Sequence, residues 1–321
     1  MNNNEDFPNK NFDLRKTMSK AKRTSIIRTI LISLSVSIVV FTAFFWIGNY
    51  VLNKKIEKEL SLDAMWYSVY GANRELQGTT IDHSLLSATV KSKFVKNVGD
   101  VPIDWVPLEK EFSIIGSSNL ITSEGVSGTG DVEDERIQMY FNGERSIEFF
   151  HPKVTSKLVD DRELVNSLDE DKVLELALSF DKGYSLEEIE NTFNKNLSWF
   201  WVDSYSQDRL EEFKTFKKET GKDLPIIGDE TVGFKYTGDA SNQNGATLFI
   251  DYLNTLKEDG KYEEIASRIV DDLTDNSKKE LTPEQLSIIG VVITGTPDQL
   301  EVYDDVPFVR AATLGVTTDR Y

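Results

Sequence analysis

The chain has no cysteine, which rules out disulfides and thiolate metal sites. Histidine is almost as scarce. His83 and His151 lie far apart and neither sits in an H-x-x-x-H pattern, so a zinc site would have to be built from carboxylates. Signatures of nucleotide and phosphate binding are missing too. Gly125, Gly128 and Gly130 space as G-x-x-G-x-G, not as the dinucleotide fingerprint. Gly221-Lys222 lacks both the upstream glycine and the downstream Ser/Thr of a phosphate loop. Ser127 in G-V-S-G misses the nucleophile-elbow pattern by one residue. Positive charge is short overall, with a net of −18. That balance argues against nucleic acid as a partner. No cofactor is expected, no catalytic constellation emerges, and the chain reads as a non-enzyme.

One stretch stands out from this polar background. Thr29–Leu52 (TILISLSVSIVVFTAFFWIGNYVL) carries no charged residue. As a helix it would rise roughly 36 Å, enough to cross a hydrocarbon core of about 30 Å with some tilt. Phe41, Phe44, Phe45, Trp46 and Tyr50 weight its far end with aromatics, as at a membrane interface. The serines at 33, 35 and 37 are tolerable in lipid if their hydroxyls bond back to the preceding turn. A cleaved signal peptide would have a shorter apolar core and a small-residue cleavage site. Here the run ends in Ile47-Gly48-Asn49-Tyr50, so a retained transmembrane anchor is expected.

The flanks suggest an orientation. Ahead of the span lie Lys10, Arg15, Lys16, Lys20, Lys22, Arg23 and Arg28 against Glu5, Asp6 and Asp13, a net of +4. Everything beyond it then carries −22. The basic side is expected in the cytoplasm and the acidic bulk outside, as a single-pass cell-membrane protein. Such acidity disfavours electrostatic adhesion of the outer part to anionic lipid, whereas the basic segment suits contact with membrane lipids. The paired acids Asp160-Asp161, Asp169-Glu170-Asp171, Glu187-Glu188 and Asp271-Asp272 read as solvated groups or helix-start charges.

The chain divides on paper into a basic tail (1–28), the span (29–52), a β-rich lobe (53–152) and an α+β lobe (153–321). In the first lobe, Asn53–Leu60 prolongs the span's helix. Ser87–Val95 and Ile103–Val106 read as strands, and Gly116–Gly130 as a loop. Arg136–Phe141 and Ile147–Phe150 flank Asn142-Gly143, a two-residue hairpin signal. Lys153–Asp169 looks like a connector. In the second lobe, Lys172–Phe180 alternates as a half-buried strand that turns at Asp181-Lys182-Gly183. Ser185 and Glu188 make a capping box for a helix through Phe193. Leu197–Tyr205 is a strand with both faces covered, where Trp199 and Trp201 oppose Phe200 and Val202. Asp208–Gly221 is a charged helix or loop, and Gly228–Ala246 a turn-rich excursion. Ala246–Lys257 and Tyr262–Leu273 are helices, Gly290–Thr294 a central strand, and Val309–Val316 the last strand. Thr282-Pro283 and Thr296-Pro297 each start a short helix. The expected fold is an α+β outer region of ferredoxin-like strand–helix–strand units, anchored by one transmembrane helix.

Several ordered segments resemble a known family. AKRTSIIRTILISLSVSIVV is similar to the juxtamembrane-plus-span signature of membrane-bound sigma-factor regulators of Gram-positive bacteria. LELALSFDKGYSLEEIENTF, LSWFWVDSY, GFKYTG, NGATLFIDYLNTLKEDGKYEEI and GVVITGTPDQLEVYDDVPFVRAATLGV resemble the outer domain of the same family, in the same order. The resemblance implies an anti-sigma factor. Its cytoplasmic part would hold an extracytoplasmic-function sigma factor off RNA polymerase, and its outer domain would answer envelope stress. Longer members carry a helical cytoplasmic domain, whereas here Met1–Arg28 precedes the span. A short helix would then supply the contact, with Phe12, Leu14 and Met18 as anchors and Arg15, Lys22 and Arg23 as charges. Otherwise a second membrane protein would supply it.

Overall fold

The structure, a computed structural model, describes residues 14–116, 118–121, 126–129, 138–155, 158–221, 223–224, 226–238, 242–258, 260–274 and 280–320. It divides into two units, Met1–Lys54 and Lys55–Tyr321. Helix α1 (Leu14–Val69) spans 56 residues, about 84 Å at the usual rise. It includes the basic stretch before the apolar run and extends well past Leu60. It is the one helix among the described residues that is long and apolar enough to cross a membrane, and its apolar window is wholly exposed. The Ser35 and Thr42 hydroxyls donate to the carbonyls of Leu31 and Ile38, both at 2.8 Å, so neither presents an unsatisfied donor outward.

The second unit starts with the last turns of α1, where Ile56, Trp66 and Val69 are buried. The chain then leaves the helix through Gly71 and Asn73, at φ of 94° and 54°. A five-stranded sheet follows. It is built on β2 (Ser87–Val98), flanked by β1 (Glu75–His83) and β4 (Leu108–Ser113). β3 (Val101–Asp104) pairs with the end of β2, and β5 (Asn119–Leu120) with β4. β6 (Val126–Thr129), β7 (Gln138–Phe141) and β8 (Glu144–Arg145) form a three-stranded sheet. Asn142 and Gly143 both take positive φ, 51° and 85°, which is the two-residue hairpin turn expected there. β9 (Glu148–Phe149) breaks away to pair with β12 (Ile226–Ile227).

After α2 (Arg162–Asn166) comes the sheet that organises the rest. Its strands are β10 (Lys172–Tyr184), β11 (Leu197–Val202), β13 (Gly233–Lys235), β14 (Ile288–Gly295) and β15 (Val309–Asp319), in the order β13-β11-β14-β10-β15. All neighbours are antiparallel. α3 (Leu186–Phe193) joins β10 to β11, and α7 (Pro297–Glu301) joins β14 to β15. The two strand–helix–strand units interleave, with β14 seated between β10 and β11 and β10 between β14 and β15. α4 (Gln207–Thr220), α5 (Asn242–Leu256) and α6 (Glu263–Leu273) are inserted between β11 and β14. The Ser185–Glu188 capping box starts α3 as expected, and Gly221 ends α4 at φ 72°.

The sheet buries one face in a single large apolar cluster. Leu174, Leu176, Leu178 and Phe180 of β10 join Phe200, Val291, Ile293 and residues of α3, α5 and α6. Trp66 of α1 belongs to the same cluster and stacks on Tyr262 at 4.7 Å between ring centroids.

Several expectations change. β10 is buried on both faces, because the strands of the first lobe cover the side that read as solvent-facing. It does not turn at Asp181-Lys182-Gly183, and Tyr184 still pairs with Ile288 beyond an irregularity. The stretch 116–130 contains β5 and β6, and 228–246 contains β13 and the start of α5. The connector holds α2. Strands β1 and β4, polar in sequence, were not anticipated.

Candidate functional site

The residues singled out before the span fall on the start of α1. Phe12 lies outside the described residues. Leu14 opens α1, and Arg15, Met18, Lys22 and Arg23 lie on its first turns. At 100° per residue, Leu14, Met18, Lys22 and Arg15 share one side of the helix, whereas Arg23 falls about a quarter-turn away. Arg15, Met18, Lys22 and Arg23 are all exposed. Leu14 and Met18 form a narrow apolar strip with Arg15 and Lys22 along one edge. The structure thus gathers four of the six named residues on one stripe.

Among the described residues, no group of three or more His, Asp or Glu converges. Of the acid pairs, Glu187-Glu188 sits in the first turn of α3 as expected, whereas Asp271-Asp272 falls at the end of α6 and Asp160 and Asp161 are paired to arginines. Asp160 binds Arg162, which outweighs burial and holds the carboxyl below its ordinary range. Asp161 bonds Arg145 and accepts from the Leu314 amide at 2.9 Å. Trp199, Phe200 and Trp201 are core residues, with Phe200 on the helix-covered face and both tryptophans on the other.

Two buried ionic clusters that sequence reasoning missed tie the first lobe to the second. Lys96 of β2 and Glu175 of β10 have fully buried side chains and meet at 3.1–3.2 Å. Asn73 donates to the same carboxylate at 2.9 Å, and Lys96 lies 4.2 Å from the Trp105 ring centroid. In the second cluster, Lys110 of β4 binds Asp63 and, at 3.1 Å, Glu59 of α1. Tyr262 donates to Asp63 at 2.6 Å. Burial tends to lower the Lys110 pKa, but the two carboxylates outweigh it and push it up. Burial first, then Tyr67 and Asp63, raise the Tyr262 phenol far above its usual value, so it stays a donor. Lys91 and Lys93 alternate toward solvent, whereas Lys96 shares parity with Val90, Ser92 and Phe94 on the buried face of β2. The chemistry of both clusters is structural. They hold α1's last turns, β2 and β4 against the central sheet, with no open coordination or nucleophile.

A polar cleft of about 650 Å³ lies where β3 meets the ends of β11 and β14, with Ser198, Thr294, Lys195 and Arg320 in its wall. Lys195 and Arg320 are exposed and are paired with no carboxylate among the described residues.

Comparison with known families accounts for most of the chain. Residues 15–103 match the family described as sigma factor regulator N-terminal, and residues 165–316 match sigma factor regulator C-terminal. No curated protein and no solved structure matches. The first match contains Arg15, Met18 and Lys22 of the stripe, the span, and Asn73 and Lys96 of the first cluster. The second contains the interleaved sheet. Such proteins are regulatory, not catalytic, and the match implies a sigma factor as partner. An exposed apolar helix behind a basic stripe, followed by this sheet, is thus the arrangement of a sigma factor regulator, and the chain belongs to the sigma factor regulator family.

Proposed function

We propose that the chain is a single-pass membrane anti-sigma factor. Its basic segment (1–28) faces the cytoplasm, 29–52 spans the bilayer, and the two outer lobes (53–152 and 153–321) face outward. The partner is an extracytoplasmic-function sigma factor, engaged by Leu14 and Met18 with Arg15 and Lys22 on the same stripe, and by Phe12 and Arg23. The observation that carries this is the family match across the α1 stripe, the span and the sheet together. Net charge supports the orientation, +4 before the span and −22 after it. Glu59, Asp63, Trp66 and Val69 belong to the same helix as the basic stripe and are packed into the outer body, so an envelope signal received there has a covalent route to α1.

The test is capture of the partner by the full-length protein and by a deletion of Met1–Arg28. Recovery of a sigma factor with the first and its loss with the second is expected. Failure to recover one with the intact protein contradicts direct capture. The second reading is an outer binding module with no sigma contact of its own, working through a second membrane protein. The polar cleft beside Lys195 and Arg320 favours a binding role for the outer body. On that reading, deleting Met1–Arg28 leaves any captured sigma factor unchanged.

A further inference from the structure

The polar cleft of about 650 Å³ between β3 and the ends of β11 and β14 has a wall rich in donors that the protein does not use. Asn196 spends one amide hydrogen on the Thr294 carbonyl at 3.0 Å, and its own side-chain oxygen accepts from the Tyr303 hydroxyl at 3.0 Å. The Ser198 and Thr294 hydroxyls meet at 3.0 Å, which spends one of their two protons. Gln299 Oε1 accepts from the Thr296 amide at 3.0 Å, closing the capping box of α7 and leaving the Gln299 amide hydrogens over. Among the described residues, these remaining hydrogens have no protein acceptor, and Lys195 and Arg320 are paired with no carboxylate. Against this surplus, the one carboxylate that the described residues bring to the wall is Asp100, on the turn from β2 to β3.

The two cations bound the length of an occupant. Lys195 leads into β11 and Arg320 follows β15, and the sheet order between them is β11-β14-β10-β15. Three strand steps of about 4.8 Å separate the two strands, roughly 14 Å across the sheet. A ligand held by both is therefore elongated or carries two anionic groups. The volume falls in the range of about 300–1,000 Å³ usual for small-molecule sites. Among the described residues no aromatic ring lies in the wall, so a nucleobase or a flavin has nothing to stack on.

We propose that this cleft binds an anionic carbohydrate, a sugar or short sugar chain bearing phosphate or carboxylate groups. The anionic groups meet Lys195 and Arg320. Ring and hydroxyl oxygens accept from Asn196, Gln299 and the Ser198–Thr294 pair, and a sugar hydroxyl donates to Asp100. An acidic peptide offers the same charges but adds N–H donors to a wall already in donor surplus. The chain beyond the span carries −22, so attraction of an anion is local, inside a screening length of about 8 Å. The proposal stands whether or not residues 1–28 engage a sigma factor, because every group it uses lies in Lys55–Tyr321.

The test is calorimetric titration of the full-length protein in phosphatidylcholine nanodiscs, which contain no sugar. Trigalacturonate and glucose 1,6-bisphosphate carry the two kinds of anionic group. Maltotriose supplies neutral sugar, triglutamate an acidic peptide and inorganic phosphate the bare ion. At least one anionic sugar should bind roughly tenfold or more tightly than these three, and which one binds tells carboxylate from phosphate. Lys195→Gln with Arg320→Gln should weaken that binding by roughly tenfold or more, with an unchanged thermal midpoint. Lys182→Gln with Lys218→Gln removes the same charge at exposed positions elsewhere and should leave it unchanged. Gln299→Glu keeps the oxygen that caps α7 but replaces the amide donor with a charge, and should weaken binding several-fold. Binding of neither anionic sugar overturns the proposal, as does equal binding of triglutamate, maltotriose or phosphate. Binding that survives the cleft substitutions also overturns it, since the sugar is then held elsewhere.

Discussion

The two faces of the central sheet differ in kind: the helix-covered one is apolar throughout, whereas the other sets buried polar groups into smaller apolar clusters. On β10 the alternation sends Leu174, Leu176, Leu178 and Phe180 into the apolar cluster under the helices. The opposite face of the same strand offers Glu175 and Ser179. They are met by Lys96 and Asn73 from the first lobe and by the Phe150 amide, which donates to Ser179 at 3.0 Å. The first face gains stability from area removed from water. The second joins two parts of the chain through groups that are expensive to bury unless each finds its partner. That face accordingly specifies which strand docks where. A slip of β2 by one residue would turn Lys96 away and strand Glu175.

Substitutions can break this contrast, and the largest effects belong to each face's centre. Phe200→Ala, on the helix-covered face, should cost about 3–5 kcal/mol in denaturant unfolding, and no second substitution nearby should restore it. Lys96→Ala should cost a comparable ~3–5 kcal/mol because it leaves Glu175 charged and unpaired. Here a partner change should rescue: Lys96→Met with Glu175→Leu is expected to return most of the loss. Failure of that rescue would show that the ion pair contributes more than mutual neutralisation. A smaller effect tests the outer helices. Ser185→Ala removes the α3 cap and should cost about 1 kcal/mol, read as a lowered thermal midpoint.

The smallest effect is a pH response. Burial alone would raise the Asp203 carboxyl. His151 at 3.1 Å and Lys153 outweigh it, so the folded value lies below the ordinary 3.8. A depressed carboxylate stabilises the fold above the unfolded value and loses that contribution as pH falls through the folded one. Asp203→Asn should therefore flatten the acid limb of a midpoint-versus-pH curve below about pH 4, leaving the neutral plateau lower but level.

The contrast also explains what could be read in advance. The helix-covered face was legible: the 174–180 alternation, the 185/188 box and the helical spacing at 246–257 all appear where expected. The other face was not, since its meaning depends on residues far away. Lys96 and Glu175 are 79 apart in sequence, and neither strand alone shows which charge the other would meet. Gly233 read as a turn residue. It is a strand residue whose added Cβ would meet the Phe200 carbonyl at 1.9 Å, so the close approach of β13 to β11 demands glycine. β1 went unread because GTTID alternates weakly and lies mostly exposed. At the start of α1, helical spacing alone put Leu14 and Met18 on one weak apolar face beside a basic one, so that much was visible without a structure.

The central claim is that α1 separates a basic inner segment from an acidic outer body. Ser19→Cys and Val302→Cys, made singly in the cysteine-free chain, place one thiol on each side of the span. A membrane-impermeant maleimide applied to intact cells should label the thiol at 302 at once and the one at 19 only after lysis. Labelling of both from outside, or of neither until lysis, would contradict the account.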